Sequence, residues 1–347
     1  MSETGVFQAL GLQVNCEAVN MLSVDDARAS MFETIARIDG LIAGSQGFLR
    51  SFVGMPTTLV VLPEYFLTSF PLGESIEAWQ AKACIEIGGP EYEKLGEVAQ
   101  KHGIYLSGNA YELDPHFTNL YFQTSFIIDP CGDVVLRYRR LVSMFAPTPH
   151  DVLDQYLDAY GEDSLFPVAE TDIGRLACVA SEEILYPELT RAHALRGAEI
   201  ICHSSSEVGS PQDTPKNIAK RARAYENGVY VVSANSAGIN QIPFPAQSTN
   251  HHSQVVNYLG AILGEAGSGE SMCGNGEVDL NALRRSRRKA GMTNCLARQR
   301  LELFSRVYTG DPVYPANSLA GVETVERSHF QGTLQHTIHD LAERGII

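Results

Sequence analysis

Residues 175–202 read RLACVASEEILYPELTRAHALRGAEIIC. After one arginine, Arg175–Ala180 is the apolar run of a buried strand. Pro187 suits the first turn of a helix, where its missing N–H costs nothing. Glu199–Cys202 returns to strand character. Ser181 therefore stands at an elbow where a strand turns sharply toward a helix. Such an elbow exposes its side chain and leaves free backbone N–H groups that an oxyanion can use.

The same alternation extends outward in both directions. Residues 7–15 read as a first strand. Ser23 caps a helix whose Met31, Ile35, Ile38 and Ile42 recur at helical spacing. Residues 58–62 (TLVVL) form a short buried strand that stops abruptly at Pro63-Glu64. Pro90 opens a helix that Gly103 closes, and Ile104–Ser107 is again a strand. Leu120–Ile128 and Val134–Arg139 flank the turn Asp129-Pro130-Cys131-Gly132 and read as a hairpin. Residues 141–165 are irregular, the mark of a functional loop. Beyond the elbow come a polar loop (205–217), a helix through Arg221–Asn227, a strand Val229–Ala234 and a second hairpin, Ser253–Tyr258 with Ala261–Gly264. The remainder is less regular until an amphipathic helix near 331–344. Alternating strands and helices with two hairpins fit an α/β fold in which helices cover both outer faces of two packed sheets. No repeat, low-complexity segment or linker divides the chain, so one domain over 1–347 is expected. About 310–347 reads as a C-terminal extension whose helix, with His336 and His339 on one face, makes an oligomer contact.

Three features stand at strand ends. Glu64 follows a buried strand and so reaches a sheet rim, where α/β proteins build sites. Arg139-Arg140 ends a hairpin strand. Ser181 sits at the elbow. Singly each is weak, since Pro-Glu marks many surface turns, arginine pairs commonly face solvent and a serine at a strand end is more often a cap. In their order and spacing they resemble the nitrilase (carbon–nitrogen hydrolase) superfamily. VLPEYF (61–66) is similar to the segment bearing the family's general base. YRRL (138–141) resembles its Tyr-Arg-Lys segment, and residues 181–201 the segment that opens with its nucleophilic cysteine. Gln13, GNAYE (108–112), Asn119, the 129–132 turn, RARAYEN (221–227) and VYVVSANSAG (229–238) extend the likeness over nearly the whole chain.

The resemblance implies a four-layer αββα sandwich, commonly assembled as homodimers or larger homo-oligomers. It also implies a Glu-Lys-Cys triad that attacks a nitrile or amide carbon through a covalent intermediate. Carried over by position, the triad becomes Glu64, Arg140 and Ser181. A second family glutamate falls loosely on Asp154, and Tyr65, Glu182 and Glu183 are supporting positions. Serine cannot replace cysteine silently. A thiol ionises near pH 8.5, whereas a hydroxyl needs a positioned base during attack. Arginine keeps the cation but is planar and always protonated. Two readings of Arg140 stand: it holds an anionic group of a ligand, or it pairs with Glu64 or Glu183. Cys178, three residues before the elbow, is read as core.

Composition narrows the partners. The 347 residues carry a net charge of −15, which disfavours nucleic acid and anionic membrane. The one basic run, Arg284–Lys289, is read as a solvated helix face or loop. No unbroken apolar segment of membrane length and no secretory signal is seen, so a cytoplasmic protein is expected. The seven cysteines show no CxxC spacing, and His251-His252 lack a third ligand, so no metal or cofactor is implied. The expected partner is a small-molecule substrate or ligand, anionic if Arg140 is what holds it. Two functions remain open: an enzyme acting on a small amide-, nitrile- or carbamoyl-type C–N substrate by non-cysteine chemistry, or an inactive homologue that binds a ligand or partners an active paralogue.

Overall fold

A computed structural model describes residues 5–208, 213–322 and 325–347. The chain opens with β1 (Val6–Gly11), β2 (Asn15–Glu17), α1 (Val24–Val53) and β3 (Thr57–Val61). Next come α2 (Ile76–Ala83), α3 (Pro90–His102), β4 (Tyr105–Leu113), β5 (Tyr121–Ile128) and β6 (Val134–Arg139). The second half holds α4 (Leu153–Tyr160), β7 (Ala169–Thr171), β8 (Gly174–Ala180), α5 (Pro187–Leu195), β9 (Ile200–Ser205), α6 (Pro215–Asn227) and β10 (Tyr230–Asn235). It closes with β11 (Gly238–Asn240), β12 (Gln254–Val256), β13 (Ile262–Glu265), β14 (Asn275–Asp279), α7 (Leu280–Arg288), α8 (Leu301–Tyr308) and α9 (Arg327–Glu343).

Two six-stranded sheets carry the fold, ordered β14-β1-β3-β4-β5-β6 and β13-β12-β10-β9-β8-β7. Side chains alternate across each strand, and that alternation makes the layers. Leu59 and Val61 of β3 point between the sheets, where they meet Leu176 and Cys178 of β8 and Val232 of β10. Val60 points the other way, into a cluster with Met31, Ile35 and Ile38 of α1. Ala177 and Val179 of β8 likewise face outward against Ala219 and Ala224 of α6. The result is the expected αββα sandwich. At Gly11 the sheets approach so closely that a Cβ would lie 2.3 Å from the Ser233 carbonyl oxygen, which requires glycine there.

The elements depart from the sequence expectation in instructive places. The segment 141–165 contains α4, whose one buried residue, Tyr156, leaves no apolar stripe to read. The helix expected at 221–227 begins at Pro215, because its first turns bury Asn217 and Lys220 instead of apolar residues. Strand β14 (NGEVD) has Val278 as its sole aliphatic side chain, yet it pairs antiparallel with β1. The basic run is only partly solvated. Arg284 of α7 pairs with the buried Glu199 at 2.7 Å, and Arg287 donates to the Gly228 and Ala198 carbonyls. Four cysteines, Cys16, Cys84, Cys178 and Cys202, are buried, as expected for small core residues. Residues 209–212 of the polar loop and residues 1–4 of the segment read for a signal lie outside the described residues.

Candidate active site

The ends of β3, β6 and β8 deliver Glu64, Arg140 and Ser181 to one rim of the sandwich. Glu64 is placed by backbone on both sides. Its N–H donates to the Ser205 carbonyl at the end of β9, and the next N–H, of Tyr65, donates to Asn109 Oδ1 on β4. Tyr65 has a left-handed backbone (φ 39°), and its hydroxyl is hydrogen-bonded to Ser206 Oγ. Both Glu64 oxygens are engaged. Oε1 accepts from Arg140 at 3.0 Å and from Gln123 Nε2 at 2.9 Å, while Oε2 accepts from Ser206 Oγ at 2.8 Å.

Arg140 is the most heavily committed group. Nε donates to the Val142 carbonyl at 2.7 Å, Nη1 to Glu64 and to Gln123 Oε1, and Nη2 to Glu182 at 2.6 Å. These contacts occupy four of the five guanidinium N–H groups, so Arg140 cannot fork a ligand carboxylate. The ion-pair reading of Arg140 is the one the geometry favours, with Glu64 and Glu182 as partners. Burial opposes its charge, but Glu64, Glu182 and Glu183 outweigh that and hold the guanidinium above its ordinary range.

Glu183 is instead a brace. It is fully buried and accepts from the Ala180, Leu141 and Val142 N–H groups and from the Tyr138 hydroxyl. One carboxylate thereby ties the elbow of β8 to the loop after β6. Burial raises its pKa above the usual carboxylate range, with Arg140 working the other way.

Ser181 adopts a left-handed conformation (φ 49°) and is 7% exposed. Its carbonyl is hydrogen-bonded to His203 Nε2 at 2.9 Å, and the other ring nitrogen of His203 meets Ser233 Oγ at 2.9 Å. The partner of the Ser181 hydroxyl is a residue that the sequence reading missed. Lys216 Nζ, from the first turn of α6, lies 3.0 Å from Ser181 Oγ and 3.4 Å from Ser205 Oγ. Burial pulls the Lys216 amine below its ordinary value of 10.5, an effect that Glu64 and Glu207 partly offset.

Asp154 does not join the cluster. It is exposed on α4, and its backbone N–H is held by Asn317 Oδ1. Cys178 is buried inside β8 with its thiol pushed up by burial, as a core residue should be. His252 pairs with Glu265 at 2.8 Å, and no metal-holding group of His, Cys, Asp and Glu side chains occurs among the described residues. A cavity of about 700 Å³ opens beyond Glu182, walled by Leu141, Val142, Tyr186, Phe330 and Leu341. Helix α9 supplies part of that wall. Among the described residues no helix is long and apolar enough to cross a membrane.

Residues 33–288 match the carbon–nitrogen hydrolase family model, and the chain belongs to that family. Relatives include the nitrilase and fragile histidine triad fusion protein NitFhit of Caenorhabditis elegans, 31% identical over 64% of this chain and 49% of that protein. The chain thus spans about half the length of that relative. The omega-amidase NIT2 of Homo sapiens is 25% identical over 68% of this chain and 82% of its own. Among solved structures, a carbon–nitrogen hydrolase from Helicobacter pylori superposes with a TM-score of 0.64 at 21% identity, covering 88% of this chain and 99% of that one. A mutant amidase from Nesterenkonia sp. AN1 in complex with butyramide has a TM-score of 0.60 at 21% identity, covering 86% of this chain and 96% of its own.

Proposed function

We propose that this protein is an enzyme acting on the C–N bond of a small amide-type substrate, with Ser181 meeting the reacting carbon in place of a cysteine. The observation that carries this reading is the Ser181 hydroxyl itself. It stands on a left-handed elbow at a strand end and contacts the amine of half-buried Lys216 3.0 Å away. Left-handed backbone at a non-glycine residue is strained, and such strain clusters at functional sites. The relatives support the substrate class, since they include omega-amidases and an amidase complexed with butyramide.

The role of Glu64 follows from its contacts. Both oxygens are hydrogen-bonded and one is ion-paired, so Glu64 serves chiefly to fix charge at the rim and to orient Ser206. In a panel of amides, nitriles and N-carbamoyl compounds, Glu64→Gln should lower kcat/KM by about 10²-fold or more. Turnover that is indifferent to this change removes Glu64 from the mechanism. The closed network around Arg140 also supports a second reading, a ligand binder without turnover. Saturable binding of an amide by calorimetry, with no product at high enzyme concentration, is its signature.

A further inference from the structure

We propose that Lys216 is the general base for Ser181, the two forming a serine–lysine dyad that takes acyl groups from amides and from activated carbonyl compounds. This rests on the reading of Ser181 as the reacting group and adds a catalytic residue to it.

Three groups could take the Ser181 proton, and the geometry separates them. Glu64 has both oxygens occupied by Arg140, Gln123 and Ser206. His203 turns one ring nitrogen to the Ser181 carbonyl and the other to Ser233, so neither faces Oγ. Lys216 Nζ lies 3.0 Å from Oγ, within the reach a base requires. Its attachment is firm. Thr214 caps α6 by accepting from the Asn217 N–H at 3.2 Å, and Pro215 fixes the first turn.

The two cations of the site also differ in their counter-charges. Arg140 is salt-bridged to Glu64 and Glu182, whereas Lys216 has no carboxylate within 4.0 Å among the described residues. A half-buried lysine that is not salt-bridged is less well stabilised as an ammonium ion than a paired one. The charges that face it are Glu64, Glu207 and Glu182 on the negative side and Arg140 and Lys220 on the positive. His203 and His251 also lie within electrostatic range, and burial keeps both of them neutral. Burial is the largest influence on the Lys216 amine and draws it below 10.5, so more of it is neutral near pH 8 than of a free lysine.

The chemistry balances within the dyad and the substrate. Neutral Nζ accepts the hydroxyl proton as Oγ bonds to the carbonyl carbon, and the C=O π pair moves onto oxygen. As that pair returns, the C–N bond breaks and the Lys216 ammonium gives its proton to the departing nitrogen. An acyl ester on Ser181 and a neutral amine remain. Water then attacks the ester while Nζ takes its proton. The C–Oγ bond breaks, Oγ recovers a proton and the carboxylic acid leaves.

Methanesulfonyl fluoride tests the dyad without a substrate. It forms an Oγ–S bond as fluoride leaves, and the site of reaction is read by mass spectrometry. Labelling is expected at Ser181, with a rate that rises with pH to a midpoint below 10.5. Lys216→Met should slow it by about 10²-fold or more. Lys216→Arg, which keeps the charge, should also abolish the pH inflection, and circular dichroism checks that both variants are folded. Unlabelled Ser181 in the native chain, or a native rate and pH profile in Lys216→Met, overturns the dyad. If labelling depends on Lys216 but no amide is turned over, the dyad stands and the substrate reading fails. If amides are turned over at an unchanged rate in Lys216→Met, the reverse holds.

Discussion

Arg140 and Lys216 are two cations at one sheet rim, held in opposite ways. Arg140 ends a strand and meets a carboxylate on either side, with two further donors spent on Gln123 and Val142. Lys216 projects from the first turn of a helix toward two hydroxyls. A buried charge with partners is a structural strut, and removing one member leaves the others uncompensated. A half-buried amine with no carboxylate in ion-pair range among the described residues is, on the proposed reading, free to exchange its proton. On that reading, the difference separates the half of the site that holds shape from the half that does chemistry.

The sharpest way to break this comparison is to remove each cation in turn. Arg140→Met leaves Glu64, 3% exposed, without its counter-charge. Loss of one partner from a buried pair costs about 3–5 kcal/mol. Urea denaturation should show a loss in that range. Lys216→Met loses hydrogen bonds to Ser181 and Ser205 but also the cost of enclosing an ammonium, so its stability should lie within about 1 kcal/mol of the native chain. Equal losses in the two variants would erase the distinction between strut and reservoir.

A smaller effect concerns the scaffold beneath the elbow. His193 of α5 is buried edge-on against Tyr138, the tyrosine that donates to Glu183. Burial pushes its imidazole down to about 3 from an unfolded value of 6.5. Between those values the unfolded chain binds the extra proton, so stability rises with pH across this window and is lost as pH falls through it. One such group contributes at most about 1.4 kcal/mol per pH unit. His193→Phe should keep the packing and flatten the slope of stability between pH 6 and 4 by about that amount. His203, also held neutral by burial, retains its share in the variant. An unchanged slope would mean that His193 does not titrate on unfolding.

The strut half of the site was legible in the sequence, and the chemical half was legible only at Ser181. Glu64, Arg140 and Ser181 each end an apolar strand, and a strand end is visible as a break in β-forming residues. Lys216 is not marked that way, because the inward stripe of α6 is built from Asn217, Lys220 and Arg223 as much as from alanines. A signal was present nonetheless. Thr214-Pro215 is a cap followed by a first-turn proline, and a lysine directly after it opposes the helix dipole. A cation in that position needs a reason outside the helix. Gln123 was missed because a polar residue inside a strand of β-formers does not announce which face it takes, and Ser206 because it lies just past β9, at the start of a polar loop where nothing singles it out. Asp154 was misplaced for the converse reason, since α4 turns Tyr156 inward and leaves Asp154 exposed.

The finest test of the comparison lies in the backbone of Ser181. Its φ of 49° is a left-handed conformation that disfavours side chains with a Cβ by about 1 kcal/mol. Glycine adopts it freely, at some cost in unfolded-chain entropy. Ser181→Ala and Ser181→Gly both remove the hydroxyl and its contact with Lys216, so both should be inactive and unlabelled. Their stabilities should differ, with the glycine variant ahead by about 1 kcal/mol or slightly less, read from the urea midpoint at unchanged m. That difference isolates the strain from the lost hydrogen bond, which both variants share. A glycine variant no more stable than the alanine variant would show that the elbow is relaxed in this chain. The hydroxyl would then be placed by the brace at Glu183 alone, and the backbone strain offered as a mark of function at Ser181 would no longer support that reading.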